Sequence, residues 1–227
     1  MRAMLRHLAM FGVIAGALAL SGGLPAGAQS AAPENLVEKL SGADAPAEID
    51  AAAIRGQIPE RLKSKADQQP LRRAPLAPQL LKLPQVSFDI KFDPDSPIVR
   101  PESYATLGRL ADALGSPALL STAFLVVDHI NSGGRRDFNV TLTQRRADAV
   151  RDILANTFKI SAKRIHALGL GEEQLLDANR PTSPANVRLQ IIAIGKYQPP
   201  APAAPPPADS KKGASAPHPK AGSKRAR

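Results

Sequence analysis

The chain has 227 residues, no cysteine and a formal net charge of +10 at pH 7. The absence of cysteine excludes disulfides, thiol catalysis and cysteine-ligated metals. A nucleic-acid-binding domain would concentrate its positive charge on the folded part, but residues 86–196 contain fourteen basic and twelve acidic residues, and the tail at residues 197–227 contains six basic residues and one acidic residue.

Residues 1–28 are predicted to be a cleaved signal peptide. Two arginines precede an apolar run at residues 8–20, and Ala26 and Ala28 give the small-residue pattern of a cleavage site. The apolar run is shorter than the roughly 20 residues that a transmembrane helix needs. We therefore expect an exported chain, with an uncleaved anchor as the alternative.

Residues 29–85 are predicted to be a linker that contains weak helices. The segment is rich in alanine, proline and charged residues, with short helical patterns around residues 36–40 and 49–62. No window in it has enough apolar residues to bury a core alone. We expect this linker to hold a domain away from an attachment point, with a partner-binding helix as the alternative.

From Val86 the pattern becomes that of a folded domain. Residues 86–92 alternate apolar and polar side chains, as in a half-buried strand, and residues 104–114 carry an apolar face at helical spacing. Residues 123–127 are apolar throughout, which is typical of a central strand covered on both faces. The remaining predicted elements are a helix, with Asn139 or Thr143 as its N-cap and an apolar face at residues 147–158, and two strands at residues 165–168 and 187–195.

This order of elements, β-α-β-α-β-β, predicts an α/β (α+β) sandwich. We expect a single domain at residues 86–196, in which the helices pack on one mixed sheet. Residues 197–227 are proline-rich and basic, and are predicted to be a disordered tail. The tail is expected either to contact outer-membrane proteins or anionic envelope polymers, or to act only as a solubilising end.

Five short motifs follow one another along the predicted domain. They are FDPDS at residues 92–96, DHIN at 128–131, LTQRRA at 142–147, GLGE at 169–172 and NVRLQ at 186–190. Each motif is weak alone. In this order and spacing they resemble the OmpA C-terminal-like domain family, which shows G-H-T-D, L-S-x-x-R-A, G-x-G-E and N-R-R-V-E on the matching elements.

The resemblance implies noncovalent binding of peptidoglycan in the periplasm, at the cell wall or outer membrane, without a cofactor. It implies that the diaminopimelate side chain of the stem peptide lies between the 128–139 loop and the helix bearing Arg146. The arginine of L-S-x-x-R-A holds a carboxylate, for which a guanidinium fork is well suited. Asp95 and Asn139 are further pocket residues that the resemblance implies.

The position whose aspartate holds the ligand's ammonium group in the family is Asn131 here. A hydrogen bond to a charged group contributes about 1.5–3 kcal/mol, and losing part of this predicts roughly ten-fold weaker binding. We hypothesise that Asp128 supplies the missing negative charge. The alternative is that Asp128 is a surface residue that contacts no ligand. A chain with such an altered pocket could also be a scaffold that has lost peptidoglycan binding.

The other polar residues of this region do not suggest chemistry. His129 is expected to be structural, and no nucleophile–base pair or metal-ligand spacing accompanies it, so no enzyme activity is expected. Arg135, Arg136 and Arg145 are expected to form a solvated basic face. The two glycines of GLGE are expected to serve a turn that needs backbone freedom.

Overall fold

The computed structural model describes residues 33–42, 49–64, 69–70 and 73–197. The predicted signal peptide lies outside these residues, as does the predicted tail apart from Tyr197. The described helices are α1 (Pro33–Leu40), α2 (Ala51–Lys63), α3 (Tyr104–Leu114) and α4 (Arg136–Asn156). None of the helices in these ranges is both long and apolar enough to cross a membrane.

Four strands of the described chain form one mixed sheet. They are β1 (Gln85–Phe88), β2 (Thr122–His129), β3 (Ile165–Gly171) and β4 (Arg188–Lys196). Their order in the sheet is β1-β4-β2-β3. β4 pairs antiparallel with both β1 and β2, whereas β2 and β3 are parallel. The predicted β-α-β-α-β-β order and the α+β class are therefore confirmed.

The first strand is shorter than the alternation over residues 86–92 predicts. The ladder between β1 and β4 ends at Phe88, and Phe92 instead forms an isolated bridge with Val99. The segment between them turns back on itself, because the N–H of Asp93 donates to the carbonyl of Ile98. Residues 93–98 therefore form a turn that lies outside the β1–β4 ladder.

β2 lies at the centre of the core, and all eight of its residues are buried. On one face, Phe124 and Val126 pack with apolar residues of α3 and α4. On the other face, Leu125 and Val127 pack with apolar residues of α2. The prediction that this strand is covered on both faces is therefore confirmed.

The segment predicted as a linker contributes to this core. Helices form near the two predicted positions, but Ile54 and Ile58 of α2 are buried against the second face of the sheet, and Leu40 of α1 is buried in the core of the first face. Leu80, in the short 3-10 helix Pro78–Lys82, is buried with the α2 residues. The structure thus differs from the expectation of a detached linker, because the sheet supplies the apolar surface that this segment lacks by itself.

α4 begins at Arg136, three residues before Asn139, which is the earlier of its two predicted N-caps, and crosses very close to β3. A Cβ atom on Gly169 would lie 2.0 Å from the backbone nitrogen of Gln144, so no larger residue fits there. Gly171 has a φ of +54°, a conformation that glycine adopts without strain. The two glycines of the GLGE motif therefore serve a close helix approach and a turn, respectively.

Candidate functional site

A cavity of about 220 Å³ opens where four parts of the fold meet. These parts are the segment after β1, the end of β2, the middle of α4 and the start of β4. The residues that line the cavity are Asp89, Ile90, Lys91, Phe92, Asp128, Arg146, Val187, Arg188 and Leu189. Its walls thus contain several charged side chains and a few apolar ones.

Arg146 reaches the cavity from α4 and is 8% exposed. Its guanidinium lies 4.7 Å from the ring centroid of Phe92, within the range of a cation–π contact. Nε donates to the carbonyl of Ser96 at 2.9 Å, and Nη2 lies 3.4 Å from the carbonyl of Asp93. Within the described residues Nη1 has no hydrogen-bond partner, so the arginine is oriented while one nitrogen stays available to a ligand.

Asp128 ends the apolar face of β2 and is 3% exposed. Because side chains alternate along a strand, it continues the face of Phe124 and Val126, toward α4. Among the described residues its Oδ2 has no hydrogen-bond partner. Burial raises the pKa of Asp128 to about 8, against the opposing effects of Arg146, the His129 backbone N–H and Arg188. This burial contradicts the alternative of a surface aspartate.

Arg188, at the start of β4, is a cavity residue that the sequence analysis did not single out. It is 8% exposed, and burial lowers its pKa to about 10 while the charge of Asp128 opposes that shift. Nη2 donates to the carbonyl of Gln174 at 3.2 Å. Its match to the second arginine of N-R-R-V-E is the signal that could have identified it.

Three other predicted site residues lie outside the cavity wall. Asn131 donates from Nδ2 to the carbonyl of Thr182 at 3.0 Å. Asn139 is buried and donates to Glu172 Oε2 at 3.1 Å. Asp95 is exposed, with a φ of +50°, and its charge raises the pKa of Arg146, although burial lowers that pKa overall. The structure therefore brings Arg146 and Asp128 together, places Asp95 near them, and uses both asparagines elsewhere.

His129 is buried beside the site and does not line the cavity. Its Nε2 lies 2.7 Å from Oε1 of Gln190, and burial, aided by the charge of Arg188, lowers the pKa of His129 to about 3. The imidazole is therefore neutral at physiological pH, which suits a structural role. In the ranges that the structure describes, no group of three or more His, Asp and Glu residues could hold a metal ion.

A second set of charges is buried behind the GLGE turn, and we call it the Glu173 cluster. Arg136 donates to both oxygens of Glu173, at 2.6 and 2.7 Å, and Arg61 donates to Oε2 at 3.0 Å. Arg73 lies 3.1 Å from Glu172 Oε1 and 3.5 Å from Glu173 Oε1. The expectation that Arg136 belongs to a solvated face is therefore wrong, since its charge is paired inside the fold.

Comparisons with known proteins find a family model and relatives that this domain resembles. Residues 91–188 match the sequence model of the OmpA family. Outer membrane porin F of Pseudomonas aeruginosa is 37% identical over 116 residues, which cover 51% of this chain and 33% of that protein. The peptidoglycan-associated lipoprotein of Agrobacterium fabrum is 35% identical over 85 residues, which cover 37% and 46%, respectively.

A solved structure with a similar chain is the peptidoglycan-associated lipoprotein from Burkholderia pseudomallei. It is 28% identical with a TM-score of 0.38, and the match covers 50% of this chain and 92% of that one. The chain spans about a third to half of the length of the two curated relatives described above.

Proposed function

Because residues 91–188 match the sequence model of the OmpA family, we propose that this chain is a noncovalent peptidoglycan-binding module of the bacterial cell envelope. The observation that carries the proposal is the cavity in which Arg146 is held by backbone carbonyls yet keeps Nη1 for a ligand. Relatives named peptidoglycan-associated lipoprotein support the same class of ligand. The proposed location is the periplasm, at the wall or the outer membrane, and the proposed activity involves no enzyme chemistry.

The proposed ligand group is the diaminopimelate residue of the stem peptide. A carboxylate of this group would accept a hydrogen bond from Nη1 of Arg146, and its aliphatic chain would lie along the apolar part of the wall near Phe92 and Leu189. A charge-assisted hydrogen bond in a partly buried site is stronger than one between neutral groups. The preset orientation of Arg146 also reduces the entropy lost on binding.

Removal of the Arg146 side chain tests this proposal. We expect Arg146→Ala to lower the affinity for purified diaminopimelate-containing sacculi about ten-fold or more, since a hydrogen bond to a charged group contributes about 1.5–3 kcal/mol. Sedimentation of the protein with sacculi over a range of concentrations measures this change. Arg145→Ala is the matched control, because Arg145 is the exposed neighbour on the same helix and does not line the cavity.

The binding of the two variants is compared under conditions in which both proteins are folded. Arg146 also bonds the backbone of residues 93–96, so thermal unfolding is recorded for each variant, and Arg146→Lys keeps the charge where alanine impairs folding. Equal binding by wild type, Arg146→Ala and Arg145→Ala would overturn the role of the cavity.

A second function is favoured by the neutral, hydrogen-bonded side chain of Asn131. Its side chain is neutral and its amide group is already bonded to Thr182, so the position that the family uses for an ammonium group offers no charge. The alternative proposal is therefore an envelope scaffold that has lost peptidoglycan binding. A folded wild-type chain that does not sediment with sacculi would support this alternative over the binding module.

A further inference from the structure

We propose that Asp128, and not Asn131, binds the ammonium group of the ligand, so that the cavity selects a zwitterionic amino-acid end. This inference rests on the proposed function and narrows it to one pair of residues. It assigns the carboxylate of the ligand to Arg146 and the ammonium group to Asp128. The site would then have both charges of the family's pocket, with the negative one supplied from strand β2.

The first support is the arrangement of the two charges around the cavity. Asp128 lines it from the end of β2 and Arg146 lines it from α4. Each affects the pKa of the other, so they are electrostatically close. Among the described residues they form no ion pair within 4 Å, and Oδ2 of Asp128 is left without a partner. Opposite charges that share a cavity without pairing leave space for the two charges of one ligand.

The second support is that the other acidic and amide groups nearby are engaged or distant. Asp89 also lines the cavity, but its side chain is 55% exposed and lies 2.7 Å from Nζ of Lys91. Asn131 does not line the cavity and donates to Thr182. Of the described acidic residues in the cavity wall, only Asp128 is buried. A buried carboxylate is the stronger ligand for an ammonium group, because less solvent competes there.

The third support is the free energy that burial makes it cost to ionise Asp128 before a ligand binds. Burial holds the pKa of Asp128 near 8, so near neutral pH this group is mainly protonated before a ligand binds. The charged or titratable groups that face it are Arg146 from α4, Arg188 from β4, its neighbour His129, and Asp89 and Lys91 from the segment after β1. An entering ammonium group favours the ionised carboxylate, so binding should release a proton and strengthen as the pH rises from 7 to 8.

Chemical removal of the ammonium groups from the ligand tests the pairing directly. Sacculi are treated with acetic anhydride, which converts their free amines into neutral amides, and binding of the full chain to treated and untreated sacculi is compared. We expect wild type to bind acetylated sacculi at least ten-fold more weakly, which corresponds to about 1.4 kcal/mol. Asp128→Asn should bind both preparations equally, at the level of wild type on acetylated sacculi.

Asp152→Asn is the control, because it removes an exposed carboxylate of α4 that lies outside the cavity wall. It should keep both the wild-type affinity and the preference for untreated sacculi. Wild type that binds both preparations equally would overturn the inference, and this measurement needs no variant to fold. An Asp128→Asn protein that keeps the wild-type preference would also overturn it.

These outcomes differ from failure of the proposed function. If Arg146→Ala loses binding but acetylation and Asp128→Asn change nothing, the chain binds peptidoglycan without an ammonium contact at Asp128. If wild type binds no sacculi at all, the proposed function fails and this inference fails with it.

Discussion

At the scale of single residues, two neighbours on β2 have opposite titration behaviour for the same reason. Burial disfavours the charged form of each, so it raises the pKa of Asp128 to about 8 and lowers the pKa of His129 to about 3. Asp128 lines the cavity, whereas His129 contacts Gln190 and stays neutral. Only the first of these residues is therefore available to change its charge when a ligand binds.

These shifts predict how stability depends on pH. The pKa of Asp128 rises from an ordinary value of 3.8 to about 8 in the fold. Between these two pH values the folded chain keeps a proton on Asp128 that the unfolded chain has released. The stabilising effect of Asp128 is therefore complete below pH 3.8 and is lost as the pH rises toward 8. His129 acts oppositely, since its stabilising effect is lost as the pH falls below 6.5. Above pH 6.5, Asp128 is therefore the one of these two residues whose titration still changes the stability of the fold.

We expect the free energy of unfolding of wild type to fall between pH 6.5 and 8, with a slope of at most about 1.4 kcal/mol per pH unit for one proton. Asp128→Asn should lack this component of the slope. Urea unfolding of both proteins at closely spaced pH values measures the difference. Parallel curves for the two proteins would contradict the raised pKa of Asp128.

The sequence predicts part of this site, and there are physical reasons why the other site residues could not be predicted. Arg146 is identified because it occupies a motif position on a helix whose face is set by regular spacing. The burial of Asp128 was not predicted, because its surroundings include residues of α4 and β4 that are distant in sequence. The engagement of Asn131 depends on Thr182, 51 positions away, and no local pattern encodes such a contact.

At the scale of elements, α2 is held on the sheet by both apolar packing and the Glu173 cluster. Ile54 and Ile58 pack against the second face of the sheet, while Arg61 near the end of the helix donates to Glu173. The apolar stripe of α2 is short, which is why its sequence predicts a weak helix. Its stability in the fold comes from residues of β3, β4 and the turn after β3, and these are distant in sequence.

Neutralising Glu173 should therefore loosen α2. The side chain of Glu173 is fully buried and receives hydrogen bonds from Arg136 and Arg61. Breaking a buried ion pair by removing one partner costs about 3–5 kcal/mol, so Glu173→Gln should lower the free energy of unfolding by about 3 kcal/mol. Hydrogen exchange should show faster exchange in α2 than in β2.

Glu60→Gln is the matched control for this change, because Glu60 pairs with Lys63 on the exposed side of the same helix. Exposed pairs contribute little, so this variant should unfold like wild type and protect α2 equally. A Glu173→Gln protein with wild-type stability and unchanged exchange in α2 would show that apolar packing alone holds the helix.

At the scale of the whole molecule, the charge is divided between a nearly balanced domain and a basic end. Residues 86–196 have a net charge of +2, whereas residues 197–227 have a net charge of +5. The folded part can therefore recognise a ligand through a few placed charges, while the end of the chain can only attract anionic material in general. The two contributions should respond differently to salt, since attraction between exposed charges is screened.

We propose that the basic end adds salt-sensitive attachment to the envelope. Deletion of residues 198–227 should lower retention on isolated envelopes at low salt and have no effect at 1 M salt, where the screening length is about 3 Å. A full-length control replaces the six basic residues by glutamine, at Lys211, Lys212, Lys220, Lys224, Arg225 and Arg227. It should behave like the deletion, because charge and not length causes the attraction.

Arg146→Ala should instead lose retention at both salt concentrations, since its ligand contact is partly buried. Equal retention of the deleted and full-length chains at low salt would leave the tail only a solubilising role.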